Sequence, residues 1–136
     1  MPPIGPSSSF GAIDGFLVYV CGTDRKLWRE WGDWSNRVPV DDNVRWFRAI
    51  DSNLVYVQGG DNQLWRERDN KSNRDFVDDN VLAFQPIDET VVYVLGLEQL
   101  FYGNLWRELG NKWNRSLVDT NVGQKYGEGN GGNGGG

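Results

Sequence analysis

The sequence predicts an all-β protein built as three four-stranded antiparallel blade repeats of a β-propeller. Three observations predict it. The string Leu-Trp-Arg-Glu occurs three times, at Leu27 to Glu30, Leu64 to Glu67 and Leu105 to Glu108. Each copy follows a Val-Tyr-Val segment, at Val18 to Val20, Val55 to Val57 and Val92 to Val94. The spacing is strict: Ile13, Ile50 and Ile87 are 37 residues apart, as are Asp14, Asp51 and Asp88. A period of this size is close to the ~40 residues of common blade repeats.

The elements of one unit follow from alternation and turn chemistry. Phe47 to Asp51 alternates apolar and polar residues, as a half-buried strand does. Leu54 to Val57 is β-branched and aromatic, and Leu64 to Glu67 alternates again after the Gly60-Asp61-Asn62 turn. A weaker fourth strand covers Arg74 to Val77. The following Asp-Asp-Asn suits a turn, because such side chains bond nearby backbone groups and tolerate left-handed conformations. Short turns of this kind join antiparallel neighbours, which ranks a blade above a parallel β-solenoid.

From Leu64 to Leu105 the step grows to 41, so four residues are inserted between Gly96 and Leu105. Three repeats result, at 10–46, 47–83 and 84–125. Residues 1–9, rich in Pro and Ser, are expected to be a flexible segment, and the Gly-rich tail 126–136 has no apolar side chain to order it. Propellers close with ~4–8 blades. Three units therefore make an incomplete ring per chain, which two chains would complete as a six-bladed homo-oligomer; a longer array is the alternative.

Composition excludes several function classes. The net charge of -5 offers no field for nucleic acid or anionic lipid. No stretch is long and apolar enough to insert in a membrane, and the N-terminal residues lack the pattern of a signal peptide, which favours the cytoplasm. A lone Cys21 excludes an internal disulfide and reads as a structural thiol. Histidine is absent, so a Cys/His metal cluster is excluded along with the commonest general base, and neither a metal nor a cofactor is expected.

Val-Tyr-Val, a Gly, a polar turn and Leu-Trp-Arg-Glu together resemble the blade repeats of tectonin-type β-propellers, from Phe10 to about Val122. More distantly the unit is similar to a quinoprotein-like blade, from which no cofactor residue carries over. The tectonin resemblance implies a non-enzymatic, lectin-like module that binds carbohydrate on loops or between blades. The alternative is a structural or protein–protein interaction repeat with no small-molecule ligand.

The candidate ligand residues are the repeated triad. Trp28, Trp65 and Trp106 offer indole faces on which a sugar ring stacks, although a tryptophan recurring at one strand position also fills the gap between sheets. Packing is the leading role. Arg29, Arg66 and Arg107 alternate to the opposite face, where an inter-blade ion pair with Asp51 or Asp88 competes with sugar recognition. Glu30, Glu67 and Glu108 lie on the tryptophan face. Trp31, Trp34, Trp46 and Trp113 do not recur in every unit and read as surface features.

Turns such as Asp41-Asp42-Asn43 lack the ligand spacing and glycine of an EF-hand loop and read as turn caps. A glycosidase pair of carboxylates is disfavoured because the carboxylates repeat with the blades, whereas catalytic groups occur once. The insertion carries Leu97, Leu100, Phe101 and Tyr102, a candidate partner contact because bulky groups replace a short polar turn.

Overall fold

A computed structural model of the chain describes residues 9–96 and 102–123. Those residues form strands and no helix. The first sheet holds β1 (Ser9–Ala12), β2 (Leu17–Cys21), β3 (Leu27–Trp31) and β4 (Arg37–Asp41). The second holds β5 (Val44–Ala49), β6 (Leu54–Gly59), β7 (Leu64–Arg68) and β8 (Arg74–Asp78). The third holds β9 (Val81–Pro86), β10 (Val91–Gly96), β11 (Tyr102–Leu109) and β12 (Arg115–Gly123). Each sheet is an antiparallel meander in chain order, so the three are propeller-like blades in an open array. The segments 1–8 and 126–136, and Leu97, Leu100 and Phe101 of the insertion, lie outside the described residues. Tyr102 is described only as the first residue of β11, opposite Gly123.

The turns form as their residues dictate. Asp14 accepts hydrogen bonds from the Phe16 and Leu17 amides, both at 2.8 Å, and Asp51 and Asp88 do the same one and two repeats later. Asp41, Asp78 and Asp119 accept the next residue's amide, and Asn43, Asn80 and Asn121 follow in the left-handed region at φ 54°, 50° and 55°. These are the turn caps that the composition predicts.

Register splits the Leu-Trp-Arg-Glu string between two faces. Arg29 stands opposite Tyr19 while Trp28 stands opposite Val20, and the second and third sheets repeat this pairing. A bulge then breaks the alternation on the last strand. Leu27 faces Asp41 but Trp28 faces Pro39, which leaves Val40 as the extra residue. The second sheet has the same shift between Leu64 and Trp65. Val40 and Asp41 are consequently both buried, as are Val77 and Asp78.

The core lies between sheets. One cluster joins Tyr19, Leu27 and Val40 of the first sheet to Val44, Phe47, Val55 and Val57 of the second. The other joins Tyr56, Leu64 and Val77 to Val81, Phe84, Val92 and Val94 of the third. The second sheet thus uses one face against the sheet before it (its upstream face) and one against the sheet after it (its downstream face), while the first packs by its downstream face and the third by its upstream face. Cys21 is buried in the first cluster, where desolvation pushes its thiol up to about 11, in keeping with a structural role. Trp34 and Trp113 are exposed, whereas Trp46 differs from its surface reading: it packs on the second cluster because β5 begins at Val44.

Candidate functional site

The repeated polar residues are engaged at the seams. Tyr19 donates its hydroxyl to the Asp51 carbonyl at 3.0 Å, and Tyr56 to the Asp88 carbonyl at 2.8 Å. Burial pushes the Tyr19 phenol up to about 12, with the Arg29 charge opposing. Arg29 donates to the carbonyl of Asp69, and Arg66 to that of Gly110 at 2.9 Å. Each acceptor sits in the last turn of the following blade. The arginines therefore do lock one blade to the next, but through main-chain oxygen rather than through Asp51 or Asp88. The reason is local: Asp51 and Asp88 already spend their carboxylates on turn amides. That last turn is held a second time by its own amides, since Lys71 donates from its backbone to Val40 and Lys112 to Val77, both at 2.8 Å.

Carboxylates and arginines form a second lock. Glu67 and Glu108 are fully buried on the tryptophan face. Arg74 lies 3.7 Å from Glu67 and 3.8 Å from Asp41 of the preceding sheet, and Arg115 lies 3.6 Å from both Glu108 and Asp78. Each guanidinium also stacks 3.9 Å from an indole centroid, Arg74 over Trp65 and Arg115 over Trp106. Burial first, then the neighbouring aspartate, raises the carboxyls of Glu67 and Glu108 well above the usual range against the opposing arginine charge. Both side chains are closed to ligand. Glu30, in the first sheet, has Arg37 at 3.7 Å, and Arg37 stacks 3.9 Å from the Trp28 ring.

The accessible site lies at the edge of the first seam. A cleft of about 370 Å³ is lined by Trp28 and Pro39 on one side and by Asn70, Lys71 and Ser72 on the other, with Asp42 between them. Lys71 Nζ is 3.1 Å from Asp42 Oδ1, an exposed pair that presents both a cation and an anion. Asn70 is oriented by accepting the Ser72 amide at 2.8 Å, and a hydroxyl is at hand on Ser72. Apolar ring, ammonium, carboxylate, amide and hydroxyl converge there, which suits a ligand with one apolar face and many hydroxyls. A second cleft, about 470 Å³, opens where the β5–β6 turn faces the β9–β10 turn, lined by Asp51, Arg68, Asp88 and Glu89 among others.

The corresponding edge of the second seam is filled. Phe76 stands where the first seam has Pro39, and Trp113 where it has Ser72. Trp65 meets Phe76 edge-on at 5.5 Å, and Phe76 meets Trp113 at 5.8 Å. Of the predicted residues, Trp28, Trp65 and Trp106 are all half-buried under an arginine, and Trp28 also lines the first cleft; Arg29 is buried, Arg66 is half-buried and Arg107 is exposed. Sequence reasoning on the repeated triad passed over Pro39, Asp42, Asn70, Lys71 and Ser72. The signal that finds two of them is a difference between units: Pro39 against Phe76, and Ser72 against Trp113.

Among the described residues no group of acidic, Cys or His side chains is placed to hold a metal ion. No protein-family model matches the chain, and no curated protein matches its sequence.

Proposed function

We propose that the chain is a non-enzymatic, carbohydrate-binding module of tectonin-like repeats, carried in a six-bladed ring that two copies complete. Its glycan lies in the cleft between the first and second sheets. The observation behind this reading is the convergence of Trp28 with the Asp42–Lys71 pair, Asn70 and Ser72 around a cleft of about 370 Å³, about the volume a small-ligand site needs. A pyranose ring packs its C–H face against the part of the Trp28 indole that lines the cleft, beside the Arg37 stacked on that ring, and spends its hydroxyls on the charged pair, whose bonds are stronger than neutral ones. The two carboxylates at the cleft are each engaged by a cation, Asp41 by Arg74 and Asp42 by Lys71, which argues against an acid–base pair there.

A glycan array tests the reading. Wild type binds at least one glycan class; Trp28→Ala abolishes that signal, while Trp65→Ala and Trp106→Ala fold and retain it. A well-folded wild type that binds no glycan removes the proposal. The alternative, a protein-interaction repeat, is favoured by the exposure of Trp34 and Trp113 on the last turns of their blades, 72% and 73%. It expects a blank array and a protein partner lost on Trp113→Ala.

A further inference from the structure

The two outward faces of the array are halves of one seam. On the upstream face of the first sheet Phe10 is 64% exposed, whereas its counterparts Phe47 and Phe84 are sealed at 0% and 1%. On the downstream face of the third sheet Val118 is 49% exposed, whereas Val40 and Val77 stand at 2% and 0%. Tyr93 and Leu105 are half-buried on that face, where Tyr19, Tyr56, Leu27 and Leu64 are fully covered in the seams.

Polar groups divide in the same way. The upstream face of the first sheet presents Glu30 with Arg37, the pair that in each later sheet receives an aspartate from the blade before. The downstream face of the third presents Asp119, exposed, the counterpart of Asp41 and Asp78. A further contact changes on both sides at once. The two seams carry Asp42–Lys71 and Asp79–Lys112 salt bridges, yet the corresponding positions on the outer faces are Thr120 and Trp34. Neither outer face keeps a charge there that would lack its partner; a threonine meets an indole instead. Two faces unrelated to each other have no reason to change in step.

We infer that a second copy of this chain docks head to tail, the downstream face of one third sheet on the upstream face of the other first sheet, and that two such contacts close the ring. Asp119 of one copy then faces Glu30 and Arg37 of the other. Phe10 enters the space beside Tyr93 and Val118, and Trp34 lies against Thr120. This inference rests on the two-chain ring proposed above and specifies how it docks. It also makes the junction cleft different from the first one, with Trp34 in place of an ammonium.

The test uses Phe10→Arg and Val118→Arg, both at positions exposed in the single chain, with circular dichroism confirming the fold. Sedimentation equilibrium on wild type gives twice the 15.4 kDa of one chain. Each variant alone has one spoiled face in both contacts, so its dimer dissociation constant rises by at least about 100-fold, the effect expected of a single buried charge without a partner. An equal mixture recovers a two-chain species held by one intact contact and weaker than wild type, because Phe10→Arg lends an intact downstream face and Val118→Arg an intact upstream one while both substitutions fall together in the other contact. Independently, Asp119→Arg weakens the dimer and Asp119→Arg combined with Arg37→Asp restores it. A monomeric wild type overturns the ring and this docking together. A dimer that survives in one variant alone, or that the mixture does not restore, overturns the head-to-tail docking only. Open-ended growth with concentration overturns closure by two copies.

Discussion

Asp41 of β4 and Glu67 of β7 approach one guanidinium, that of Arg74, from two different sheets, at 3.8 and 3.7 Å. Burial and the aspartate together raise the Glu67 carboxyl far above the usual carboxylate range. The folded chain therefore keeps a proton there that the unfolded chain gives up. Stability from this group is complete below the unfolded value and is lost as pH rises towards the folded one. Urea unfolding between about pH 5 and pH 9 is expected to show falling stability with rising pH, at up to about 1.4 kcal/mol per pH unit for one such group. Glu67→Gln reduces this slope and leaves the share of Glu108. A variant slope equal to that of wild type would mean that Glu67 is ionised in the seam.

Tyr56 ties the second sheet to the third through one hydroxyl at 2.8 Å from the Asp88 carbonyl. Tyr56→Phe keeps the ring and its packing but leaves that carbonyl without its donor. The expected cost is about 1–2 kcal/mol, read as a lower urea midpoint with an unchanged slope. Tyr19→Phe behaves likewise at the first seam.

Phe84→Ala opens a cavity in the second cluster, where Phe84 is 1% exposed. Such truncations cost about 3–5 kcal/mol. Because each sheet is stabilised chiefly by its neighbours, the third sheet then unfolds ahead of the first two and the transition splits in two. Phe10→Ala, at a 64% exposed position, costs less than about 1 kcal/mol when measured on dilute single chains.

Pro39→Phe combined with Ser72→Trp would rebuild in the first seam the aromatic row found in the second. The expected result is a fold within about 1 kcal/mol of wild type and glycan binding lost on the array. Retained binding would place the glycan elsewhere.

Much of this architecture is legible in the residues, and the limits of that reading have physical causes. The period, the Val-Tyr-Val strands and the split of Leu-Trp-Arg-Glu between faces follow from two-residue alternation, and the registers agree with it. The inter-blade role of Arg29 and Arg66 also follows from the face they occupy, but their acceptor does not, because a carbonyl has no letter in the sequence. Asp41 and Asp78 read as turn caps and are turn caps. Their second role, against Glu67 and Glu108, depends on the bulges at Leu27/Trp28 and Leu64/Trp65, which turn an additional residue into the seam. Strict alternation cannot show that shift. The cleft was hidden for another reason: it draws on Trp28 and Ser72 from different blades, 44 positions apart, and only the packing of one sheet on the next brings them together.

The grip of Arg29 and Arg66 on main-chain oxygen has a consequence for how such a protein can vary. One arginine holds an oxygen of Asp69 and the other an oxygen of Gly110, at backbone φ of 72° and 90°, so the latch senses the path of the chain and ignores the side chain. Just beyond the latch both blades keep an asparagine and a lysine, Asn70-Lys71 and Asn111-Lys112, and differ only at the next position, Ser72 against Trp113, which is therefore free to diversify while the joint beneath it stays fixed. An interchangeable tip on a constant hinge lets a repeated scaffold acquire a new specificity at one position without loosening the whole.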